Sequence, residues 1–373
     1  MPTPCVRFVN PQKHYQLYRE EYLKTLDDVC GRGDYIMRQD LETFEQRIAE
    51  MVGVKHAIGV NSGTDALSLS FEALGYGPGD EVITVGHTFM ASISAIAHCG
   101  ATPVLIDVGE DFNINIELIE AAITPRTKAI EPVHLNGRMS DMEKIMEIVG
   151  KHKLTVVEDA AQALGSKIKL SDGSWKMAGS FGNTGCFSLY PFKILGCFGD
   201  GGILTTNDDT LAAKVRRLRF NGEDRETRNF YEHGYTALLD NVQAAILNVK
   251  LNYFPQWIAR RRELAERYRN GLVDIPQIKT PHFDNPKFFD VYQNYVIRVE
   301  KRNDLVKYLN EQGVETLISW DTPMYKQPVM LPNSISLSET EKICQTVVSL
   351  PMYPEITNEE IDIVIEKIRS FYQ

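Results

Sequence analysis

The chain has 373 residues, 43% of them hydrophobic, and a net charge of −10. This length can build one large domain and a smaller one, each with its own core. The negative net charge argues against DNA or RNA as a partner, because a protein that binds nucleic acid needs a basic surface. No apolar run approaches the roughly 20 residues that cross a bilayer, and the N-terminus lacks a signal-peptide pattern, so we expect a cytoplasmic protein without membrane contact.

The cysteines are scattered along the chain. No two have C-x-x-C spacing, and no His/Cys group has the spacing of metal ligands. We therefore expect a reducing compartment and no metal site. The six are Cys5, Cys30, Cys99, Cys186, Cys197 and Cys344.

The first half of the chain alternates short apolar runs with segments of helical length. A helical region is expected over residues 14–52, where Leu41, Phe44, Ile48 and Met51 share one face. Such alternation predicts a mostly parallel sheet covered on both faces. Strands are expected at 56–60, 81–85, 102–107, 128–135 and 154–160, and helices at 65–74, 91–100, 114–123 and 140–152.

The pattern changes after residue 208. A long helical region rich in Arg and Leu is expected through about residue 270. It is followed by apolar runs at 293–300 and 314–319, a helix at 302–313 and a closing helix at 358–372, which together indicate a smaller α+β unit. We divide the chain into a large domain, residues 1–250, and a small domain, residues 251–373.

The first candidate site is NSGTDAL at residues 61–67, which follows an expected strand and opens a helix. Backbone N–H groups at such a helix N-terminus attract an anion. Gly63 would let a phosphate approach closely, and Thr64 could add a hydroxyl. The same residue types also serve as simple helix caps, so this motif alone leaves both interpretations open.

The second candidate is VVEDAAQALG at residues 156–165, where a buried strand ends in Glu158 and Asp159. Ligands of open α/β sheets lie at the carboxyl ends of strands, so Asp159 is placed to meet a ligand cation. Small residues then begin an expected helix, on which Gln162 would reach the same ligand. The alternative, that Asp159 is only a helix N-cap, stays open here.

The third candidate is GCFSLYPFKILGCFGDGG at residues 185–202, which places Lys193 among apolar neighbours. Burial there would lower the pKa of the amine and make it nucleophilic, as a Schiff-base lysine requires. Ser188, five residues earlier, could offer a hydroxyl to a phosphate. Taken alone, the segment would favour a lysine whose amine reaches the surface.

Together these stretches meet the needs of pyridoxal phosphate (PLP). That cofactor requires a phosphate cradle, a carboxylate opposite its pyridine nitrogen, an aromatic face against its ring, and a lysine for its aldehyde. We therefore predict a PLP site. The chain offers the parts in order as Gly63 and Thr64, Phe89, Asp159 with Gln162, and Ser188 with Lys193.

Five stretches carry a resemblance to a known family: GVNSGTDALSLSFEALGYGPGDEVITVGHTFMAS, AITPRTKAIEPVHLNG, VVEDAAQALGS, GCFSLYPFKILGCFGDGGILTTND and SLPMYPEIT. The chain resembles the DegT/DnrJ/EryC1/StrS aminotransferases, PLP enzymes of the aspartate-aminotransferase fold (fold type I), which mostly aminate nucleotide-linked keto sugars. The resemblance implies an α/β fold: a large domain whose mostly parallel central sheet is flanked by helices, and a smaller α+β C-terminal domain. It also implies a homodimer in which each site is completed by the partner.

The resemblance further implies roles for the residues that bind the reactive part of the cofactor. Lys193 would form the Schiff base and later move a proton between the donor carbon and the cofactor. Asp159 would pair with the pyridinium nitrogen, and Gln162 would contact the ring hydroxyl.

The remaining roles concern the phosphate and the ring face. Ser188 and the amides near Gly63 and Thr64 would hold the phosphate. Phe89 falls where the family places an aromatic side chain that stacks on the ring, although it could also be an ordinary core residue.

Three segments depart from the family pattern. HLNGR (134–138) replaces H-L-Y-G-Q, GYTALLD (234–240) replaces G-Y-N-S-R-L-D, and GVETLISWDTP (313–323) lacks the usual H-Y-P. Thr236 could still donate one hydrogen bond to the partner's cofactor phosphate, whereas Leu238 cannot replace the charge of an arginine. Arg138 could bind a substrate anion or lie solvated at the surface, and the sequence leaves both possibilities open. Asn136 is a further departure that favours an unusual amino-group acceptor.

The predicted function is transfer of an amino group from L-glutamate to a keto group of a nucleotide-linked (deoxy)sugar. The YPFK form is closer to enzymes that aminate C3 than to the C4 branch. The departures keep open another ketone, an inosose or a small phosphorylated ketone.

Three other functions are less favoured. A PLP-dependent sugar dehydratase would carry histidine at Lys193. A nicotinamide oxidoreductase would need G-x-G-x-x-G, whereas GYGPGD (75–80) lacks that spacing and precedes a strand. A non-catalytic regulator would not need the complete lysine, aspartate and phosphate set.

Overall fold

The computed structural model describes residues 5–281 and 285–373. Two helices open this part of the chain, where the sequence predicts one helical region. Helix α1 (Pro11–Arg32) ends at Gly33, whose φ of 70° gives the left-handed cap that stops it. Helix α2 (Gln39–Val52) buries the face that carries Leu41 and Phe44, as its spacing predicts.

A seven-stranded sheet forms the centre of the larger unit. Its order across the sheet is β1-β9-β8-β5-β4-β2-β3. Only β9 runs against the others, pairing antiparallel with both β1 and β8. The expectation of a mostly parallel sheet is confirmed. The strands are β1 (His56–Val60), β2 (Glu81–Val85), β3 (Thr102–Ile106), β4 (Thr127–Ile130), β5 (Thr155–Asp159), β8 (Thr184–Ser188) and β9 (Gly202–Thr206).

Helices cover this sheet, but one of the expected ones is shorter than predicted and another is wrong. The segment 114–123 forms only a short 3₁₀ turn and a single turn of helix, and no helix follows Asp159, where residues 160–165 form turns. Within the described ranges no helix is both long and apolar enough to cross a membrane. The covering helices are α3 (Gly63–Leu74), α4 (Met90–His98), α5 (Ile119–Ala122), α6 (Met142–His152), α7 (Asp209–Leu218) and α8 (Asn241–Leu251).

The second unit is built on a three-stranded antiparallel sheet of order β10-β12-β13. The expected strand at 314–319 is reduced to isolated bridges at Val314 and Leu317. A further small sheet joins β6 and β7 to β11. The elements are β6 (Lys167–Lys169), β7 (Trp175–Met177), α9 (Phe254–Leu272), β10 (Ile278–Lys279), β11 (Phe288–Phe289), β12 (Tyr295–Val299), α10 (Arg302–Glu311), α11 (Ser338–Thr346), β13 (Val347–Leu350) and α12 (Asn358–Tyr372).

Helix α9 joins the two hydrophobic cores. Its first half places Phe254 and Trp257 in the core of the large sheet. Its second half places Leu264 and Tyr268 in the core of the small sheet. The long helical region predicted after residue 208 is therefore three helices, and the last of them belongs to both units.

Glu158 fixes the loop that leads into β8. Its carboxylate is fully buried and accepts hydrogen bonds from the backbone N–H groups of Gly179, Phe181 and Gly182 at 2.7–2.9 Å. His134 Nε2 lies 3.0 Å from the same carboxylate. These four contacts satisfy both oxygens of the buried carboxyl group, because they replace the water that burial removes.

We predict that Glu158→Gln lowers the free energy of unfolding by about 3 kcal/mol, because an amide loses the charge and points a donor at other donors. Urea denaturation of the cofactor-free protein measures the change. Glu147→Gln, on the exposed side of α6, is the control and should change stability by less than about 0.5 kcal/mol. An unchanged unfolding midpoint for Glu158→Gln would contradict the anchoring role.

Candidate functional site

The predicted site residues lie where strands of the large sheet end. Gly63 follows β1, Phe89 follows β2, Asp159 ends β5 and Ser188 ends β8. These four strands run in the same direction, so the residues meet at the carboxyl edge of the sheet.

Gly63 and Ser188 are in direct contact. A Cβ atom added to Gly63 would lie 2.8 Å from Cβ of Ser188, closer than side-chain atoms approach. Gly63 is the first residue of α3, and Ser62 caps that helix by accepting a hydrogen bond from Asp65 N. The amides of Gly63 and Thr64 precede the helical hydrogen-bond ladder, so they remain available beside the Ser188 hydroxyl for an anion.

Asp159 is buried at the base of the site. Ser92 Oγ on α4 donates to its Oδ2 at 2.8 Å, and Ala161 N donates to its Oδ1 at 3.1 Å. Burial raises the pKa of Asp159, while the Ser92 and Ala161 hydrogen bonds and the charge of Lys193 oppose that rise. The helix N-cap interpretation is wrong, because no helix begins here.

Gln162 reaches the site from a turn rather than from the predicted helix. Its Oε1 accepts a hydrogen bond from Asn136 N at 2.7 Å. Asn136 has a φ of 58°, a left-handed conformation that asparagine tolerates better than most residues. This contact leaves the Nε2 donors of Gln162 for a ligand.

Lys193 lies in the loop after β8, and its amine makes no hydrogen bond or ion pair within the described ranges. Burial lowers the pKa of this amine to about 8, although the charge of Asp159 acts in the other direction. With that pKa, about a tenth of the amine is neutral at pH 7, far more than for an exposed lysine. The prediction of a surface-reaching amine is therefore not supported.

Three side chains from two distant parts of the chain hold the Lys193 loop. Gln293 accepts from Ile194 N at 3.0 Å and donates to Phe192 O at 2.9 Å. On α8, Gln243 accepts from Phe198 N at 2.8 Å, and Lys250 Nζ donates to Gly196 O. Side chains on both sides of the loop therefore fix the backbone around the amine.

Phe89 and Thr236 lie at the rim of the site. Phe89 immediately precedes α4 and is 60% exposed, so the interpretation as an ordinary core residue is wrong. Thr236 is exposed and donates a hydrogen bond to Asn221 Oδ1 at 3.4 Å rather than to another predicted site residue.

Arg138 neither lies solvated at the surface nor is free to bind a substrate anion, the two alternatives that the sequence left open. Its Nη1 donates to Asp290 at 2.7 Å, its Nε lies 3.6 Å from Asp111, and its guanidinium stacks 4.3 Å from the Phe288 ring. Because two carboxylates already neutralise it, Arg138 holds the large unit against β11 instead of offering a charge to a substrate.

Sequence reasoning missed Ser92, Gln293 and Lys250. Ser92 could have been found, because it lies three residues after Phe89 and thus one helical turn into α4. Gln293 and Lys250 carry no local signal, since they reach the Lys193 loop from 50 or more residues away in the sequence.

The residues present fit a PLP-type cofactor. The amides beside Ser188 suit a phosphate, buried Asp159 suits a pyridinium, and the Lys193 amine suits an aldehyde. No group of three or more His, Cys, Asp or Glu side chains that could hold a metal ion occurs in the described part of the chain.

Sequence comparison identifies the family. Residues 16–369 match the model of the DegT/DnrJ/EryC1/StrS aminotransferase family. The chain is 39% identical to the "Pleiotropic regulatory protein" of Geobacillus stearothermophilus, over 99% of both chains. It is 38% identical to dTDP-3-amino-3,4,6-trideoxy-alpha-D-glucose transaminase of Streptomyces venezuelae, over 99% of this chain and 97% of that one. It is 37% identical to UDP-2-acetamido-2-deoxy-3-oxo-D-glucuronate aminotransferase of Pseudomonas aeruginosa, over 96% and 98%.

The fold is also similar to those of solved structures. S. venezuelae DesV, in complex with a ketimine intermediate, superposes with a TM-score of 0.94 at 38% identity, over 100% of this chain and 99% of that one. NtdA from Bacillus subtilis, with bound cofactor PMP, gives a TM-score of 0.88 at 30% identity, over 97% and 82%.

We predict that Gly63→Ala lowers the unfolding free energy of the cofactor-free protein by about 1–3 kcal/mol, because the new methyl group forces α3 away from β8. Chemical denaturation measures this. Gly150→Ala is the matched control: it lies in α6 with no atom within 4 Å of its added Cβ, and should stabilise slightly. Equal stability of Gly63→Ala and wild type would rule out the close contact.

Proposed function

The chain belongs to the DegT/DnrJ/EryC1/StrS aminotransferase family, and we propose that it uses PLP to transfer an amino group from L-glutamate to a keto group of a nucleotide-linked sugar. The observation that carries the proposal is the Lys193 amine. It is unpartnered within the described ranges, has a pKa lowered to about 8, and lies within the electrostatic influence of buried Asp159. The bound cofactor would supply an aldehyde that accepts the amino group and a ring that stabilises negative charge at the donor carbon.

Lys193 would act first as a nucleophile and then as a proton carrier. Its neutral fraction is high enough at pH 7 to attack an aldehyde. After the donor displaces it, the freed Nζ can take a proton from the donor carbon and return it on the cofactor side, because the held loop keeps it nearby.

Asp159 would hold a proton on the pyridine nitrogen of the cofactor. A carboxylate next to a cation favours the charged form of both groups, and this pairing offsets the cost of burying Asp159. Ser92 and Ala161 each bond one carboxylate oxygen, so they orient Asp159 before the cofactor arrives.

The other predicted residues would bind the rest of the cofactor. Gly63, Thr64 and Ser188 would hold the phosphate through their backbone amides and the Ser188 hydroxyl. The close contact between Gly63 and Ser188 brings these groups together. Gln162 would donate to the ring hydroxyl through Nε2. Phe89, exposed at the rim, has a free face for the ring.

A second copy of the chain would complete the site. Three aromatic side chains of the loop that carries Lys193 are 42–48% exposed: Tyr190, Phe192 and Phe198. An aromatic surface of this kind is typical of a protein interface. We therefore propose a homodimer in which Thr236, which serves no other predicted site residue of its own chain, faces the cofactor phosphate of the partner.

The names of the relatives favour a nucleotide-linked acceptor. The S. venezuelae and P. aeruginosa proteins carry dTDP- and UDP-linked names with an amino or oxo group at position 3. We propose amination at C3 on this basis. Because Arg138 is already neutralised, it no longer supports a small anionic ketone as the substrate.

Two further proposals concern organisation. We propose that the chain divides near residue 250, just before α9, which packs in both cores. We also propose a cytoplasmic location, which rests on the cysteine spacing in the sequence, and all six thiols are free.

We predict that Lys193→Ala abolishes the visible absorbance of bound cofactor and all amino transfer, because Lys193 is the lysine whose charge acts on Asp159 among the described residues. Borohydride reduction of the wild type followed by peptide mapping locates the link. The matched comparison is Lys250, whose buried amine also has a pKa of about 8 but donates to Gly196 O. An adduct on Lys250, or none at all, would refute the proposal.

A panel of ketones tests the acceptor. We predict that the amino form of the protein, prepared with L-glutamate, is returned to the aldehyde form by a nucleotide-linked 3-keto sugar at least about tenfold faster than by the 4-keto isomer. The absorbance change of the cofactor measures each half-reaction. An inosose and a small phosphorylated ketone complete the panel. Faster turnover of either would assign the chain a substrate without a nucleotide.

A further inference from the structure

We propose that Glu131 is a positioning residue of the candidate site: it keeps its carboxyl proton beside Asp159, so that the buried pocket carries one negative charge instead of two. The location of Glu131 is a feature of the fold, whereas its effect on a cofactor rests on the function proposed above.

Glu131 belongs to a row of polar residues on one face of the large sheet. It directly follows β4, and its N–H donates to Ile83 O on β2. Ile130 pairs with Val156, so Glu131 comes level with Val157 and its side chain points to the face that carries Asp159. The row consists of Thr84, Glu131, Asp159 and Cys186, on four neighbouring strands.

The environment of this row is dry and poor in donors. Glu131 has no exposed surface, and neither of its carboxyl oxygens has a hydrogen-bond partner within the described ranges. Thr84 Oγ1 donates to the backbone carbonyl of Glu131 at 3.1 Å. An ionised carboxylate left without donors in such surroundings is very costly, so the protonated acid is the stable form.

The charges around Glu131 act in the same direction. Burial, and then the negative charge of Asp159, raise the pKa of Glu131 well above its usual value, and the Thr84 hydroxyl, the smallest of the three influences, acts in the other direction. Cys186 is a third titratable group in this row, and burial keeps it a neutral thiol by raising its pKa. The charge of Lys193, in the loop after β8, acts on Asp159. From the covering helices, Ser70 Oγ reaches Cys186 and Ser92 Oγ reaches Asp159, and neither carries a charge.

Of the two neighbouring carboxyl groups, Asp159 is therefore the ionised one and Glu131 the protonated one. Asp159 has two donors and, in the proposed function, a pyridinium partner, whereas Glu131 has neither. Asp159 takes the charge and Glu131 keeps the proton. A neutral Glu131 fills the space behind Asp159 without competing for the cation that Asp159 must hold.

The first test needs no cofactor. A group whose folded pKa lies above its unfolded value of about 4.3 costs stability as pH rises between the two. We expect cofactor-free Glu131→Gln and wild type to melt at similar temperatures near pH 5, and the variant to melt about 3 °C or more above wild type by pH 8. Glu158→Gln is the matched control, because its four-donor carboxylate predicts a loss of stability at the same pH.

The second test asks whether Glu131 and Asp159 are coupled. If the charge of Asp159 adds to the penalty at Glu131, the gain from Glu131→Gln shrinks in an Asp159→Asn background. For the same reason it shrinks when the cofactor is bound, since a pyridinium offsets the charge of Asp159. An infrared difference spectrum between wild type and Glu131→Gln should show the band of a protonated carboxylic acid at neutral pH.

The outcomes separate the two proposals. A carboxylate band, or a gain that does not depend on pH or on Asp159, overturns the role of Glu131. Coupling to Asp159 in a protein that takes up no PLP supports the shared charge but overturns the proposed function and the positioning role that rests on it. If Glu131→Gln does not fold, Glu131→Met, of similar length and also neutral, is measured in the same way.

Discussion

The removal from water of an amine and a carboxylate that influence each other, without an ion pair between them, is the constraint on which the site depends. Lys193 must lose its proton easily, and burial achieves this by lowering its pKa to about 8. The same burial raises the pKa of Asp159, which must remain an anion. Two donors, Ser92 and Ala161, favour that anion, whereas no donor or acceptor offsets the effect of burial on the Lys193 amine within the described ranges.

Three buried carboxyl groups show how local hydrogen bonding decides whether a group carries a charge. Glu158 and Asp159 are neighbours on β5, so their side chains point to opposite faces of the sheet. Glu158 has four donors and holds the loop before β8, whereas Asp159 has two and faces the ligand pocket. Glu131 has none at its carboxyl oxygens within the described ranges. All three carboxyl groups are buried to a nearly equal extent. The number of hydrogen-bond donors therefore distinguishes Glu158, which anchors a loop, from Asp159, which faces the cofactor, and from Glu131, which keeps its proton.

Strands and local motifs could be predicted from the sequence, because buried strands are short apolar runs and the site lies at their ends. The strands at 56–60 and 81–85 appear as predicted. The helix expected after Asp159 failed because small residues such as Ala160 and Ala163 fit a tight turn as well as a helix. The role of Arg138 could not be predicted, since its partner Asp290 lies 152 residues away and is brought close only by packing.

The same limit applies to the backbone around Lys193. A lysine among apolar residues indicates a reactive amine, but not what keeps that amine in place. Gln293 bonds both Phe192 and Ile194 on either side of it, and Gln293 comes from the segment that leads into β12 of the small sheet. The position of the amine is therefore set partly by how the small unit packs on the large one. A change at that contact would move the amine relative to Asp159 while every residue of the sequence motif stayed the same.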